Sequence, residues 1–120
     1  MTQRAIILFA HGSRDPLWRG CMEAIAAKAR AQAAGLLIDC AYLELCAPDL
    51  GQCFESIVAH GAEAVTIVPM FLGMGRHARE DLPGLVQKLR NRHPGIDVVV
   101  AQVIGENPAV IDLLAQVVRE

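Results

Sequence analysis

The chain has 120 residues, a formal net charge of −2, and a hydrophobic content of 53% with 4% aromatic residues. This length fits one domain over residues 1–120, and the nearly balanced charge predicts no nucleic-acid partner. The sequence has no run of 18 apolar residues and no signal-peptide pattern, so we expect a cytoplasmic protein without a membrane partner. Its four cysteines form no CxxC pair and are expected to be free thiols.

Strand-like runs alternate with helical runs along the chain. Strands are predicted near residues 4–10, 36–45, 63–71 and 96–103, and helices near residues 16–34, 49–60, 79–92 and 107–119. Asp15-Pro16 and Asn107-Pro108 are typical of helix starts. Because parallel neighbours need right-handed crossovers, this order predicts an α/β fold of the (βα)4 type, a three-layer sandwich around a four-stranded parallel sheet.

Two histidines follow strand-like runs. His11 comes directly after the run 6–10, and His77 follows the run 65–72 through Gly73. If both runs are parallel strands of one sheet, both imidazoles lie at its carboxyl edge, where such sheets bind ligands. Each histidine is therefore a candidate metal ligand or proton acceptor.

An acidic residue, Glu44, stands between two leucines at the end of the second predicted strand. A carboxylate in such a place is costly unless it is solvated, paired or bound to a metal. His11, His77 and Glu44 together form a workable ligand set for a divalent first-row ion. Their spacing is scattered, so the fold has to bring them together.

The first strand leads into the turn Ala10-His11-Gly12-Ser13-Arg14-Asp15-Pro16. Gly12 permits a tight turn and a close approach of a ligand to the backbone. Ser13 and Asp15 lie where the following helix presents free amide donors. The alternative is a capped turn with an incidental histidine.

The segment 73–83 is predicted to be a flexible loop with two glycines. It carries Arg76, His77 and Arg79 beside Glu80 and Asp81, and it can meet an anionic ligand. The alternative is a solvated loop whose charges pair with one another at little gain in free energy.

The other two histidines, His60 and His93, lie at predicted helix C-termini. The helix dipole favours a protonated imidazole there, so capping accounts for both without a role in function.

Three sequence blocks occur in order between residues 10 and 83: AHGSRDP, YLELCAPDL and VPMFLGMGRHAREDLP. Together they resemble the small CbiX-type sirohydrochlorin chelatases of cobalamin and sirohaem synthesis. The resemblance implies a class II chelatase fold and ATP-independent insertion of a divalent metal into this tetrapyrrole. It implies no required cofactor, because the metal is a substrate: cobalt, with iron or nickel as alternatives.

The resemblance also assigns residues and a partner. The family's two site histidines match His11 and His77, and its glutamate matches Glu44. Longer relatives carry two such domains in one polypeptide, so the resemblance implies that this chain pairs with itself as a homodimer.

The proposed chemistry suits these residues. Metal insertion removes two pyrrolic protons, which neutral imidazole accepts near neutral pH, so His11 and His77 can act as ligands, bases or both. Glu44 can hold the metal or receive a proton. The substrate carboxylates can bind in the region of the first turn and the predicted loop, with these candidate contacts: Ser13, Arg14, Arg76 and Arg79.

Two other functions use the same residues. A metal or tetrapyrrole carrier would hold its cargo with the same imidazoles without catalysing insertion. A histidine-dependent phosphoryl-transfer enzyme is the weaker alternative, because Ala10 stands where such enzymes have an arginine before His-Gly.

Overall fold

The computed structural model describes residues 2–120. Within this range the chain alternates strands with α-helices, and it has two short 3-10 turns, Pro16–Arg19 and Ile104–Glu106. The strands are β1 (Arg4–Ala10), β2 (Leu37–Tyr42), β3 (Ala64–Pro69) and β4 (Asp97–Val100). The helices are α1 (Gly20–Gln32), α2 (Leu50–Ala59), α3 (Arg76–Arg92) and α4 (Pro108–Arg119).

The four strands form one parallel sheet in the order β2-β1-β3-β4. This confirms the predicted parallel α/β architecture. β1 is central and pairs with β2 on one side and β3 on the other. The residue after β1 is therefore flanked by the segments that follow β2 and β3.

Helices cover both faces of the sheet, as the three-layer prediction requires. On one face, Leu8 and Ala10 of β1 share a core with Met22 of α1. On the other, Phe9 shares a core with Phe54 of α2 and with α3. Because successive side chains of a strand point to opposite faces, a continuous apolar strand serves both cores.

The first helix is predicted over residues 16–34, and its predicted start at residue 16 is wrong. A 3-10 turn precedes α1, which starts only at Gly20. Asp15 caps that turn as predicted, because its Oδ1 accepts the N–H of Leu17 at 3.0 Å. The cap and the following Pro16 begin a tight turn rather than the long helix.

Two predicted strands are too long. The strand at 36–45 ends at Tyr42, and Glu44 lies in the bend that follows, where Leu45 has a φ of +71°. The strand at 96–103 ends at Val100. Both are edge strands: the paired residues of β2 and β1 end at Tyr42 and Ala10, and those of β4 and β3 end at Val100 and Ile67.

The predicted loop at 73–83 is helical from Arg76 onwards, and α3 starts three residues before the predicted 79. Its first turn carries two side-chain contacts at i and i+4, Arg76 with Glu80 and His77 with Asp81. Such pairs stabilise a helix, which explains why this charged segment is not a loop. Pro83 lies inside the helix.

α4 covers neither face of the sheet. None of its residues is buried, and it packs against the second 3-10 turn. The Cα radius of gyration is 14.5 Å. A compact chain of this length would have about 13.6 Å. The last helix therefore stands away from the rest of the fold.

Candidate functional site

His11 and Glu44 meet at the carboxyl edge of the sheet. His11 Nε2 lies 3.1 Å from Glu44 Oε1, and the two side chains are 48% and 41% exposed. Their backbones are joined as well, because the Glu44 N–H donates to the His11 carbonyl oxygen at 3.0 Å. The β1–β2 pairing thus continues past both strands and carries the two side chains to the same point.

Gly12 makes this contact possible. It has a φ of +101°, and a Cβ at this position would lie 1.8 Å from the Glu44 carbonyl oxygen. Only glycine fits such a conformation at such a distance. The absence of a side chain at position 12 therefore allows the Glu44 backbone to come close to the turn.

The pair is suited to bind a cation. His11 Nδ1 lies 3.1 Å from the Gly12 carbonyl oxygen. When Nδ1 carries the ring proton, it donates to that carbonyl, and Nε2 presents its lone pair to the Glu44 carboxylate. A lone pair facing a carboxylate is favourable only with a proton or a metal ion between them.

The distance in this pair also fits a shared ion. Two neighbouring ligands, each about 2.1 Å from one ion, lie about 3.0–3.4 Å apart for ordinary coordination angles. The Nε2–Oε1 distance of 3.1 Å falls within this range. The separation of these two atoms therefore suits joint binding of one divalent ion by His11 and Glu44.

Ser13 and Arg14 lie in the turn beside this pair. Ser13 Oγ accepts the N–H of Asp15 at 3.1 Å, so it supports the turn. Its hydroxyl proton remains available to a ligand. Arg14 is exposed.

His77 lies in the first turn of α3, after the loop that follows β3. Its Nε2 lies 2.7 Å from Asp81 Oδ2, and the ring is 62% exposed. Asp81 was not among the predicted site residues. The i, i+4 spacing of a histidine and an aspartate is the signal that identifies it, once the segment is recognised as a helix.

The neighbouring arginines differ in their contacts. Arg76 Nε donates to Glu80 Oε1 at 2.8 Å. Arg79 donates to the Met74 carbonyl oxygen at 3.2 Å and lines a groove between α3 and β4. Both arginines are exposed, and 82% of the Arg76 side chain is accessible.

The three predicted metal ligands form two separate pairs, His11 with Glu44 and His77 with Asp81. Across residues 2–120 no group of three or more histidine, cysteine, aspartate or glutamate side chains is arranged to hold a metal. A site containing all three ligands stays a prediction.

The site is open to solvent. Cavities of about 530 Å³ and 590 Å³ occur elsewhere, one between α1, α2 and β2 and the other between α3 and β4. Neither is lined by His11, Glu44 or His77. The paired side chains therefore lie on an edge with no enclosing wall from their own chain.

The other two histidines end helices, as predicted. His60 is the C-cap of α2, and its Nδ1 lies 2.7 Å from the Ser56 carbonyl oxygen. His93 is the C-cap of α3, but its ring contacts Glu55 Oε1 at 2.8 Å instead of a helix carbonyl. The hydrogen bond from His93, helped by the charges of His93 and Arg92, lowers the pKa of the Glu55 carboxyl.

The four cysteines are free, which confirms the prediction of free thiols. Burial raises the pKa of the Cys53 thiol to about 12, and burial also raises the pKa of Cys40. Neither thiol therefore supplies a thiolate ligand near neutral pH.

The model of the CbiX family matches residues 5–120. The chain belongs to the CbiX family. This confirms the resemblance shown by its three sequence blocks. Among curated relatives of this CbiX member, the sirohydrochlorin ferrochelatase of Priestia megaterium is 29% identical over 97% of this chain and 44% of that protein. The chain thus spans less than half of that relative's length.

Solved structures agree with the fold of this CbiX member. A CbiX protein from Marinobacter aquaeolei VT8 matches with a TM-score of 0.83 and 34% identity, over 97% of this chain and 94% of that chain. The sirohydrochlorin chelatase SirB from Bacillus subtilis subspecies spizizenii, in complex with cobalt, matches with a TM-score of 0.83 and 26% identity. That match covers 99% of this chain and 50% of SirB. The predicted chelatase-like fold is confirmed.

No helix within residues 2–120 has the length and apolar character needed to span a bilayer.

Proposed function

We propose that this chain inserts a divalent metal ion into sirohydrochlorin without ATP. The observation that carries the proposal is the His11–Glu44 pair at the carboxyl edge of a CbiX-family sheet, with Nε2 and Oε1 3.1 Å apart. The names of its relatives support the substrate, since they include a sirohydrochlorin ferrochelatase and a sirohydrochlorin chelatase bound to cobalt. Cobalt is the metal we propose, with iron and nickel as alternatives.

The residues account for both halves of the reaction. Before insertion, His11 Nε2 and the Glu44 carboxylate hold the ion as neutral imidazole and carboxylate ligands. Insertion releases two pyrrolic protons from the macrocycle. When the ion leaves, Nε2 and the carboxylate regain free lone pairs, and each can accept a proton. The two groups that deliver the metal thereby become the acceptors that the exchange requires, so no further cofactor is proposed.

His77 belongs to a second acceptor pair. Asp81 lies 2.7 Å from His77 Nε2 and stabilises the ring when it is protonated. His77 can therefore take a pyrrolic proton or pass it to solvent. The exposed Arg14 and Arg76 are proposed to bind the carboxylates of the macrocycle, with Ser13 and Arg79 as further proposed contacts.

We also propose that the chain acts as a homodimer in the cytoplasm. The His11–Glu44 pair is about half exposed. A flat macrocycle needs a wall on each face to exclude water and hold the ring, and a second copy can supply the missing wall. Free thiols suit a reducing compartment such as the cytoplasm.

The test is an anaerobic assay of the purified protein with sirohydrochlorin and Co²⁺, Fe²⁺ or Ni²⁺ in turn, followed by the absorbance of the macrocycle. We expect insertion faster than the protein-free control for at least one ion, and many product molecules for each protein molecule. Product limited to one equivalent would indicate a carrier instead. Rates equal to the control for all three ions would contradict the proposal.

A further inference from the structure

The segments at the carboxyl edge of the sheet expose large apolar side chains. Outside α4 and β4, five such side chains are exposed within residues 2–120, and four of them lie in the segments that follow β1, β2 and β3. These four are Leu17 (87%), Trp18 (39%), Leu45 (46%) and Leu72 (71%), and the fifth is Ile25 on α1. Exposed apolar residues that are grouped at one edge among polar residues are typical of a binding surface.

Backbone hydrogen bonds hold these three segments side by side. The Leu43 N–H donates to the Ala10 carbonyl oxygen at 2.9 Å, which keeps the segment after β2 against the end of β1. The Met70 N–H donates to the Phe9 carbonyl oxygen at 2.7 Å, which keeps the segment after β3 against the other side of β1. The exposed apolar residues therefore surround the point where His11 leaves the sheet.

An aromatic contact holds the first 3-10 turn at the same edge. The Trp18 ring meets the ring of Tyr42, the last residue of β2, edge to face with the centroids 5.9 Å apart. Leu17 precedes this tryptophan and is almost fully accessible. Because so little of this leucine is buried, it contributes little to the core, and its apolar surface is free to contact a ligand.

Leu45 has a backbone conformation that disfavours leucine. Its φ of +71° lies in the left-handed region, where glycine and asparagine are the usual residues. About half of the leucine is exposed, so core packing offsets only part of this strain. Residues strained in this way are concentrated at functional sites. Leu45 follows Glu44 directly, which places a strained and exposed apolar residue beside the candidate metal pair.

We propose that Leu17, Leu45 and Leu72 form an apolar platform that binds one face of the tetrapyrrole macrocycle beside the His11–Glu44 pair. A flat macrocycle with carboxylates on its periphery has two apolar faces and a charged rim. Contact with the apolar platform removes one face from water and leaves the rim to the exposed arginines of the site. The leucines are thus substrate-binding residues, and the metal is left to the histidine and the glutamate.

This inference rests on the proposed function and assigns residues that bind its substrate. The probe is metal-free sirohydrochlorin, whose binding is followed by its fluorescence without any insertion step. Insertion activity together with macrocycle affinity that does not depend on the leucines would overturn the apolar platform alone. Macrocycle binding that depends on the leucines, without insertion, would overturn metal insertion alone.

The first test compares protein stability with macrocycle affinity at position 45. Leu45→Gly relieves the strained conformation and removes the apolar side chain. We expect it to be at least as stable as the original protein in urea and to bind metal-free sirohydrochlorin at least about tenfold more weakly. Leu45→Met retains an apolar side chain and should bind the macrocycle more tightly than Leu45→Gly. Unchanged macrocycle affinity in Leu45→Gly, or an equal loss in both variants, would overturn the proposal.

Binding of Co²⁺ separates the apolar platform from the metal pair. We expect Leu45→Gly to bind Co²⁺ with the original affinity, because His11 and Glu44 are both retained. A parallel loss of Co²⁺ and macrocycle affinity would show that Leu45 acts by positioning Glu44, and would overturn direct contact with the macrocycle.

The second test uses the other two leucines. Leu17→Ser and Leu72→Ser remove platform side chains, and Ile25→Ser removes an exposed apolar side chain from α1 as the matched control. We expect each platform variant to bind metal-free sirohydrochlorin at least about fivefold more weakly, and Ile25→Ser to bind it as the original protein does. In the insertion assay KM should rise with little change in kcat, because such contacts hold substrate and transition state alike.

Sedimentation of the same variants tests the other possible occupant, a second copy of the chain. A platform variant that loses self-association but keeps its affinity for metal-free sirohydrochlorin would show that the leucines contact another copy, and would overturn the proposal. Equal macrocycle affinity in Leu17→Ser, Leu72→Ser and Ile25→Ser would overturn it as well.

Discussion

The backbone of Gly12 lies so close to Glu44 that no side chain fits at position 12. A Cβ there would lie 1.8 Å from the Glu44 carbonyl oxygen, and the φ of +101° already disfavours any other residue. This contact sets the position of the Glu44 carboxylate against His11.

Gly12→Ala should separate the His11–Glu44 pair. We expect a loss of about 1–3 kcal/mol in the free energy of unfolding, because the new Cβ meets the Glu44 carbonyl in a strained conformation. Urea unfolding measures this loss, and Co²⁺ titration measures the accompanying fall in affinity. Gly20→Ala is the control, since a Cβ at Gly20 has no neighbour within 4 Å. Equal stability of the two variants would contradict the close contact.

His11→Ala and Glu44→Gln should both impair metal insertion while leaving the fold intact, because both side chains are about half exposed. We expect His11→Ala to lower turnover by about 10²–10⁴-fold, since it removes a ligand and a proton acceptor together. His60→Ala serves as the control, because that ring caps α2. The assay is initial rate with sirohydrochlorin, and unchanged turnover in His11→Ala would remove this residue from the mechanism.

Asp81→Asn should weaken the contribution of His77 without removing the ring. An amide cannot stabilise a protonated imidazole as a carboxylate does, so we expect turnover to fall by about tenfold. Glu80→Gln is the matched control: it breaks the neighbouring i, i+4 pair with Arg76. If both substitutions have the same effect on turnover, the loss reflects the stability of the helix rather than His77.

Glu55 should stabilise the protein near neutral pH, and this contribution should be lost in acid. Its pKa is lowered from the ordinary value of 4.5, first by the hydrogen bond from His93 and then by the charges of His93 and Arg92. A lowered folded-state pKa gives stability that is complete above the unfolded value and is lost as pH falls through the folded value. Between about pH 6 and pH 3, the melting temperature should therefore fall less for Glu55→Gln than for the original protein. Glu23→Gln on α1 is the control, and its melting temperature should fall as much as that of the original protein. Identical profiles for all three proteins would contradict this prediction.

Much of the fold follows from local sequence alone. The alternation of apolar runs and helical segments predicts the four strands, four helices and parallel sheet, because burial on both faces demands continuous apolar strands. Asp15 and Asn107 act as caps, as their types and positions predict. His11 is placed at the carboxyl edge by its position directly after β1.

Apolar periodicity alone does not predict the residue at which α3 starts. The segment from Gly73 has glycines and many charges, which favour a loop when each residue is considered by itself. In the structure, pairs four residues apart stabilise the first turn from Arg76, and they join His77 to Asp81. Asp81 is therefore recognised as the partner of His77 only when this segment is a helix, and the sequence analysis predicted a loop here.

The sequence by itself determined the order of the elements, the caps and the candidate site residues, because these depend on neighbours along the chain. Only the tertiary structure decided which candidates meet. Glu44 reaches His11 because β2 lies beside β1 in the sheet and Gly12 admits its backbone. The turn before α4 likewise brings Gly105 close to Leu72, 33 positions earlier in the chain. Such contacts join residues far apart in sequence, so hydrophobic periodicity and propensity carry no signal for them.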